Sequence, residues 1–245
     1  MNKAIFYQPW GGLGDNLQFS TLPELYHNIG VSFYVNENNV CRNPEITKLV
    51  WETNPYFKGY TNEEPNCGSN IKYTPIFGNL ILDWEKLHGF IPKNTAPKLY
   101  YKSNIIELLR NKIVLSLQSI SAEIDELELF NKIKRYLIDY NYNDIILLKY
   151  KNDVNKIKTF GKEEKNYSYS YNIYDVNNIF DLCDVIQSCD HFITLHSGAS
   201  VLASALDKKT TVFIDKNFLI KFKFGDNIDK ESGDFLFQKI NYIGV

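Results

Sequence analysis

A chain of 245 residues, 44% apolar and 15% aromatic, has material for one large domain or two small ones. Its 27 basic and 29 acidic residues leave a net charge of −2, and no run of Lys or Arg gives a nucleic-acid footprint. The opening MNKAIFYQPW lacks the features of a signal peptide, and no stretch nears the ~20 apolar residues that cross a bilayer.

In chain order, KAIFYQ (3–8) reads as a buried strand, and DNLQFSTLPELYHN (15–28) as a helix with Asp15 as its N-cap and Pro23 as a kink. VSFYV (31–35) is a second strand and PEITKLVWET (44–53) a second helix, the alternation of parallel α/β units. Six Pro and Gly residues between 54 and 78 mark loops with short strands. ILDWEKLHGF (81–90) is a helix stopped by Gly89, and IPKNTAPKLYYKSN (91–104) reads as a linker. The rhythm then restarts. Strands are expected at 113–117, 144–150, 191–195 and 210–214, with helices at 122–140, 175–189 and 199–206 and a polar segment over 151–172. The expected architecture is two Rossmann-like α/β lobes facing a cleft, residues 1–108 and 109–245.

Cys41, Cys67, Cys183 and Cys189 form no CxxC pair or metal pattern, which places the chain in a reducing, cytoplasmic compartment with its thiols as small apolar groups.

Two loops stand where chemistry is expected. WGGLGD (10–15) follows the first strand and opens a helix, so Gly11, Gly12 and Gly14 make either a tight turn or a loop that lets a ligand touch the main chain. It is neither GxGxxG nor a Walker A loop. TLHSGASVLASAL (194–206) leaves a strand and enters a small-residue helix. The N–H groups of Ser197, Gly198, Ala199 and Ser200, with the two hydroxyls, make either a helix cap or a phosphate cradle. HSGAS contains no GxSxG elbow, which disfavours a serine hydrolase.

GGLGDNLQFSTLPELYHNIG and IFDLCDVIQSCDHFITLHSGASVLASALDKKTTVFI (179–214) resemble, in order, the motifs of the ADP-heptose:lipopolysaccharide heptosyltransferase-like family of GT-B glycosyltransferases; ILDWEKLHGF resembles that family's helix before the interdomain linker. Two departures stand out: His196 where the family has Asp, and Val201 where it has His. The resemblance implies an inverting, metal-independent transferase that moves a sugar from a nucleotide-sugar donor to a glycan hydroxyl in polysaccharide or glycoconjugate synthesis. Asp15 would be the general base. His196, Ser197, Gly198, Ala199, Ser200, Gln118 and Ser119 would meet the donor, and Trp10, Gly11, Gly12 and Gly14 would line the acceptor loop. No DxD motif is present, and no metal or other cofactor is expected. A lipid-linked acceptor would require peripheral membrane contact. The alternatives are a non-catalytic nucleotide-sugar or glycan-binding protein and a sugar-nucleotide epimerase or hydrolase on the same fold.

Lesser candidates have simpler readings. Asp181 is a ribose contact or a helix-surface charge, and Glu123–Asp125 a solvated helix face. His27, His88 and His191 read as structural, and YSYSYNIY (167–174) as an edge strand or a sugar surface.

Overall fold

The computed structural model describes residues 2–69, 71–73, 76–118, 125–141, 144–150, 170–217, 237 and 239–245. The chain divides into two compact units, the first running to Lys102 and the second beginning at Ser103.

The first unit carries β1 (Lys3–Tyr7), α1 (Leu13–Leu17), α2 (Leu22–Asn28), β2 (Ser32–Asn36), α3 (Pro44–Thr47), β3 (Phe57–Thr61), β4 (Cys67–Gly68) and α4 (Leu80–Leu87). Its sheet is parallel throughout, in the order β3-β2-β1-β4. The single helix expected over 15–28 is two helices. Pro23 lies in the first turn of α2, where its missing N–H has no intrahelical partner to lose, so it starts a helix rather than kinking one. Asp15 is correspondingly not the N-cap. That position belongs to Gly12, and Asp15 sits three residues into α1. The helix expected over 44–53 continues past α3 as a π-type turn, Lys48–Glu52. Asn79 caps α4, its side chain accepting from the Ile81 and Leu82 N–H groups. The core is aromatic: Phe6 meets Phe19 and Trp51 at 4.9 Å between ring centroids, and Phe19 meets Trp84 at 4.6 Å.

The second unit carries β5 (Ile113–Ser116), α5 (Glu126–Asp139), β6 (Asp144–Lys149), β7 (Ser170–Asp175), α6 (Ile179–Ser188), β8 (His191–Leu195), α7 (Gly198–Ala205), β9 (Thr210–Ile214) and β10 (Ile240–Gly244). The strands are again parallel, ordered β10-β9-β8-β5-β6-β7. β5, β8 and β9 are buried along their whole length, as central parallel strands must be. α6 begins four residues later than expected because Asp175 closes β7 and Asn178 caps the helix. The segment into this unit is tied to α6: Asp184 accepts from the Asn104 N–H at 2.9 Å, and Ser188 Oγ from the Ile106 N–H at 2.8 Å. β7 is an edge strand, in keeping with the tyrosine-rich run, whose residues 167–169 lie outside the described residues. So does most of the polar segment 151–172. Among the described residues no helix is long and apolar enough to cross a membrane.

Candidate functional site

Each sheet reverses direction at its first strand. From β1 the chain builds outward to β2 and β3, then returns to lay β4 on the other side of β1. From β5 it builds to β6 and β7, then returns to lay β8 on the other side of β5. The carboxyl ends of strands at such a reversal are where open parallel sheets take ligands. In the first sheet the loops leaving those ends begin at Gln8 and Ser69; in the second they begin at Leu117 and His196. Both stretches singled out in the sequence therefore sit at a reversal point.

The first loop is held from beneath by buried amides. Gln8 is fully buried; its Oε1 accepts from the Trp10 N–H at 2.7 Å and its Nε2 donates to the Val40 carbonyl at 3.1 Å. Asn16 is also fully buried; its Nδ2 donates to the Gly12 carbonyl at 2.9 Å, and its Oδ1 accepts from Trp51 Nε1 at 3.1 Å. Gln18 Nε2 donates to the Asp15 carbonyl at 2.9 Å while its Oε1 accepts from Trp84 Nε1 at 2.7 Å. None of Gly11, Gly12 and Gly14 has positive φ, and Gly11 and Gly12 serve close approach instead. A Cβ on Gly11 would lie 2.7 Å from Arg42 Cγ and 2.9 Å from the Arg42 nitrogen, whose N–H donates to the Gly11 carbonyl. A Cβ on Gly12 would lie 2.6 Å from Asp15 Oδ2, so Asp15 itself uses that space.

Asp15 is half-buried. Its Oδ2 accepts the Gly12 N–H at 2.9 Å, and among the described residues Oδ1 makes no hydrogen bond. One carboxylate oxygen thus fixes the side chain and the other is open to a ligand. Trp10 projects from the loop, 45% exposed.

In the second loop Ser197 is the N-cap of α7. Its Oγ accepts from the Ala199 N–H at 3.3 Å and donates to the Leu195 carbonyl at 3.2 Å. Buried Ser200 Oγ accepts from the Ser197 N–H at 3.3 Å and donates to the Ser197 carbonyl at 2.7 Å. Both hydroxyls expected to face a phosphate are therefore engaged in capping. The Gly198 N–H makes no hydrogen bond among the described residues, and it stands at the positive end of the helix. His196 ties β8 to β9 through its N–H to the Phe213 carbonyl at 2.9 Å. Burial pushes its imidazole down to about 4, so at neutral pH it is uncharged. Val201, at the position of the resembled family's histidine, is buried.

Gln118 is half-buried just past the end of β5; Ser119 and Glu123 lie outside the described residues. Asp125 is not on a helix face but caps α5, accepting from the Glu128 N–H at 2.9 Å. Asp181 accepts the Asn177 N–H at 3.1 Å at the start of α6. The three histidines read as structural have definite partners. His88 Nδ1 faces the Trp84 carbonyl at 2.7 Å and must carry the proton, so Nε2 accepts from the Gly68 N–H at 2.9 Å. His191 Nε2 meets Thr211 Oγ1 at 3.0 Å, and His27 packs on Tyr56 with ring centroids 4.9 Å apart. Burial pushes the Cys67 and Cys189 thiols up to about 12, as expected of inert apolar thiols.

The sequence reading missed the loop after β4. There Asp83, fully buried in α4, accepts from the Ile76 and Phe77 N–H groups with Oδ1, at 3.1 and 2.7 Å, and from Tyr73 OH with Oδ2 at 2.9 Å. Asp83 stands in a helical pattern among apolar neighbours, and only its depth distinguishes it from a surface acid.

No family model matches the chain, and no curated protein matches its sequence. Solved structures do. The iron-containing dodecameric glycosyltransferase TibC from enterotoxigenic E. coli superposes with a TM-score of 0.59 at 12% identity, over 100% of this chain and 63% of that one. A family 9 glycosyl transferase from Veillonella parvula gives 0.61 at 9% identity, over 98% and 85%. E. coli heptosyltransferase WaaC, solved with ADP-2-deoxy-2-fluoro heptose, gives 0.53 at 11% identity, over 99% and 93%. The chain therefore spans about three-fifths of TibC and most of the other two. The fold is that of two Rossmann-like lobes of GT-B type, the fold implied by the resemblance read from the sequence.

Proposed function

We propose that the protein is a glycosyltransferase that moves a sugar from a nucleotide-sugar donor to a glycan hydroxyl, with inversion and without a metal ion. The observation that carries this reading is the placement of both singled-out loops at sheet reversals, one in each lobe. The acceptor belongs to the first lobe. Asp15 Oδ1 takes the proton from the acceptor hydroxyl as its oxygen attacks the anomeric carbon. The bond from that carbon to the diphosphate breaks, and its electron pair leaves with the nucleoside diphosphate. The donor belongs to the second lobe, where the Gly198 N–H and the α7 dipole oppose the growing negative charge in place of a cation. His196, neutral, offers a hydrogen bond to a sugar or phosphate oxygen. A lipid-linked acceptor would bring the protein to a membrane surface.

Asp15→Asn tests the reading. The amide oxygen still accepts the Gly12 N–H, so α1 survives, but the base is gone. Glycan-dependent release of nucleoside diphosphate is expected to fall by about 10²–10⁴-fold with donor binding unchanged. Release that persists in the variant refutes the role of Asp15. Donor binding with no release in either protein supports the non-catalytic reading, which buried Val201 favours.

A further inference from the structure

The three tryptophans divide sharply. Trp51 and Trp84 are buried, and their indole N–H groups donate to Asn16 and Gln18. Trp10 is 45% exposed, and among the described residues its ring stacks on nothing and its indole N–H has no partner. On the neighbouring loop Ile76 and Phe77 are 50% and 49% exposed, although their main chain is fastened by the fully buried Asp83 carboxylate. Phe77 likewise makes no ring contact among the described residues. Taking a carboxylate out of water is costly unless its hydrogen bonds are complete. The Oδ2 bond to Tyr73, which meets buried Trp84 at 5.1 Å, serves the core, whereas the two Oδ1 bonds fasten a main chain whose apolar side chains face outward. On the loop of Trp10, Asp15 Oδ1 makes no hydrogen bond among the described residues, and the stem of exposed Arg42 packs over Gly11.

We propose that Trp10 and Phe77 are the aromatic walls of a sugar subsite on the first lobe, and that Asp83 is the positioning residue that sets the Phe77 wall. The loops leave the carboxyl ends of paired strands, with Phe6 opposite Cys67 and Tyr7 opposite Gly68, so they flank the reversal point of the sheet. A pyranose ring has an apolar C–H face and a rim of hydroxyls. Aromatic surface edged by Asp15 and Arg42 satisfies both. A lipid chain would leave those polar groups unsatisfied, and a protein partner needs about 800 Å² per side, far more than a few side chains supply. In naming this sugar the acceptor, the inference rests on the transferase reading.

Trp10 provides the probe, because acrylamide quenches exposed tryptophan far more than buried. The chain is titrated with a panel of defined di- to tetrasaccharides containing hexose, hexosamine, deoxyhexose and heptose residues, and Trp10→Phe checks that the quenchable emission is Trp10. At least one glycan is expected to shield Trp10. Phe77→Ala should raise its half-shielding concentration about five- to tenfold, whereas Phe77→Tyr stays within about threefold. Asp83→Ala should match Phe77→Ala, and Asp83→Asn, which keeps an oxygen for the two N–H groups, should retain shielding. The proposal is overturned if no glycan in the panel shields Trp10, or if shielding is the same in Phe77→Ala. Nucleotide-sugar binding in the second lobe is read separately, so a failed subsite and a failed transferase reading are distinguishable.

Discussion

Asp15 Oδ2 holds the start of α1 through the Gly12 N–H, and this structural bond can be separated from the proposed role of Oδ1 as base. Asp15→Ala removes the acceptor for the Gly12 N–H and should destabilise the protein by about 1 kcal/mol in a denaturant titration, whereas Asp15→Asn should not. Equal losses would show that the carboxylate charge, not the hydrogen bond, holds α1. The histidines make a second residue-level prediction. Burial pushes His191 and His196 down to about 4, and lowers His88 as well. Unfolded, each takes up its proton near pH 6.5; folded, His191 and His196 do so only near 4. Between those values the unfolded chain binds more protons, so stability falls as pH is lowered through the window, by on the order of 3 kcal/mol for a fully developed shift. Denaturant midpoints at pH 7.5, 6.5 and 5.5 should fall progressively, and less so in His191→Gln. A flat profile would contradict the burial of these imidazoles in their neutral form.

The strands His191–Leu195 and Thr210–Ile214 fall on the residues that their apolar runs mark out, because a strand buried on both faces writes itself as a continuous apolar stretch. Helix starts were less legible. Pro23 fits a first turn as well as a kink, and the choice depends on the turn at residues 18–21, which periodicity does not reveal. Least legible were the buried amides and acids that fix the loops. Gln18 meets Trp84 across 66 positions and Asn16 meets Trp51 across 35, contacts that local pattern cannot encode. The glycines of the first loop were visible, but not the reason for Gly11, which is the neighbouring Val40–Arg42 segment. Gly11→Ala must push against the Arg42 main chain and should cost about 1–3 kcal/mol. Gly68→Ala should cost more, because its φ of 93° is a glycine conformation and its Cβ would lie 2.4 Å from the Tyr7 carbonyl oxygen. An unchanged midpoint in Gly11→Ala would mean that the loop is not pinned as described.

For the molecule as a whole, the repeated strand–helix rhythm on either side of a proline-containing linker was enough to indicate two α/β lobes, and each lobe's sheet is parallel with its first strand central. Motif order added the GT-B resemblance, which the solved structures match in fold at 9–12% identity. The outward placement of Phe77, the proposed sugar wall, was not legible, because only the folded loop sets it. The central claim is that the second lobe binds a nucleotide sugar at Gly198 without a metal ion. Its most direct test is thermal unfolding against a panel of nucleotide sugars, with and without EDTA, for the wild-type chain and Gly198→Val. The account predicts a selective rise in melting temperature for one donor that survives EDTA and is lost in the variant. No rise with any donor, or a rise that EDTA abolishes, would contradict it.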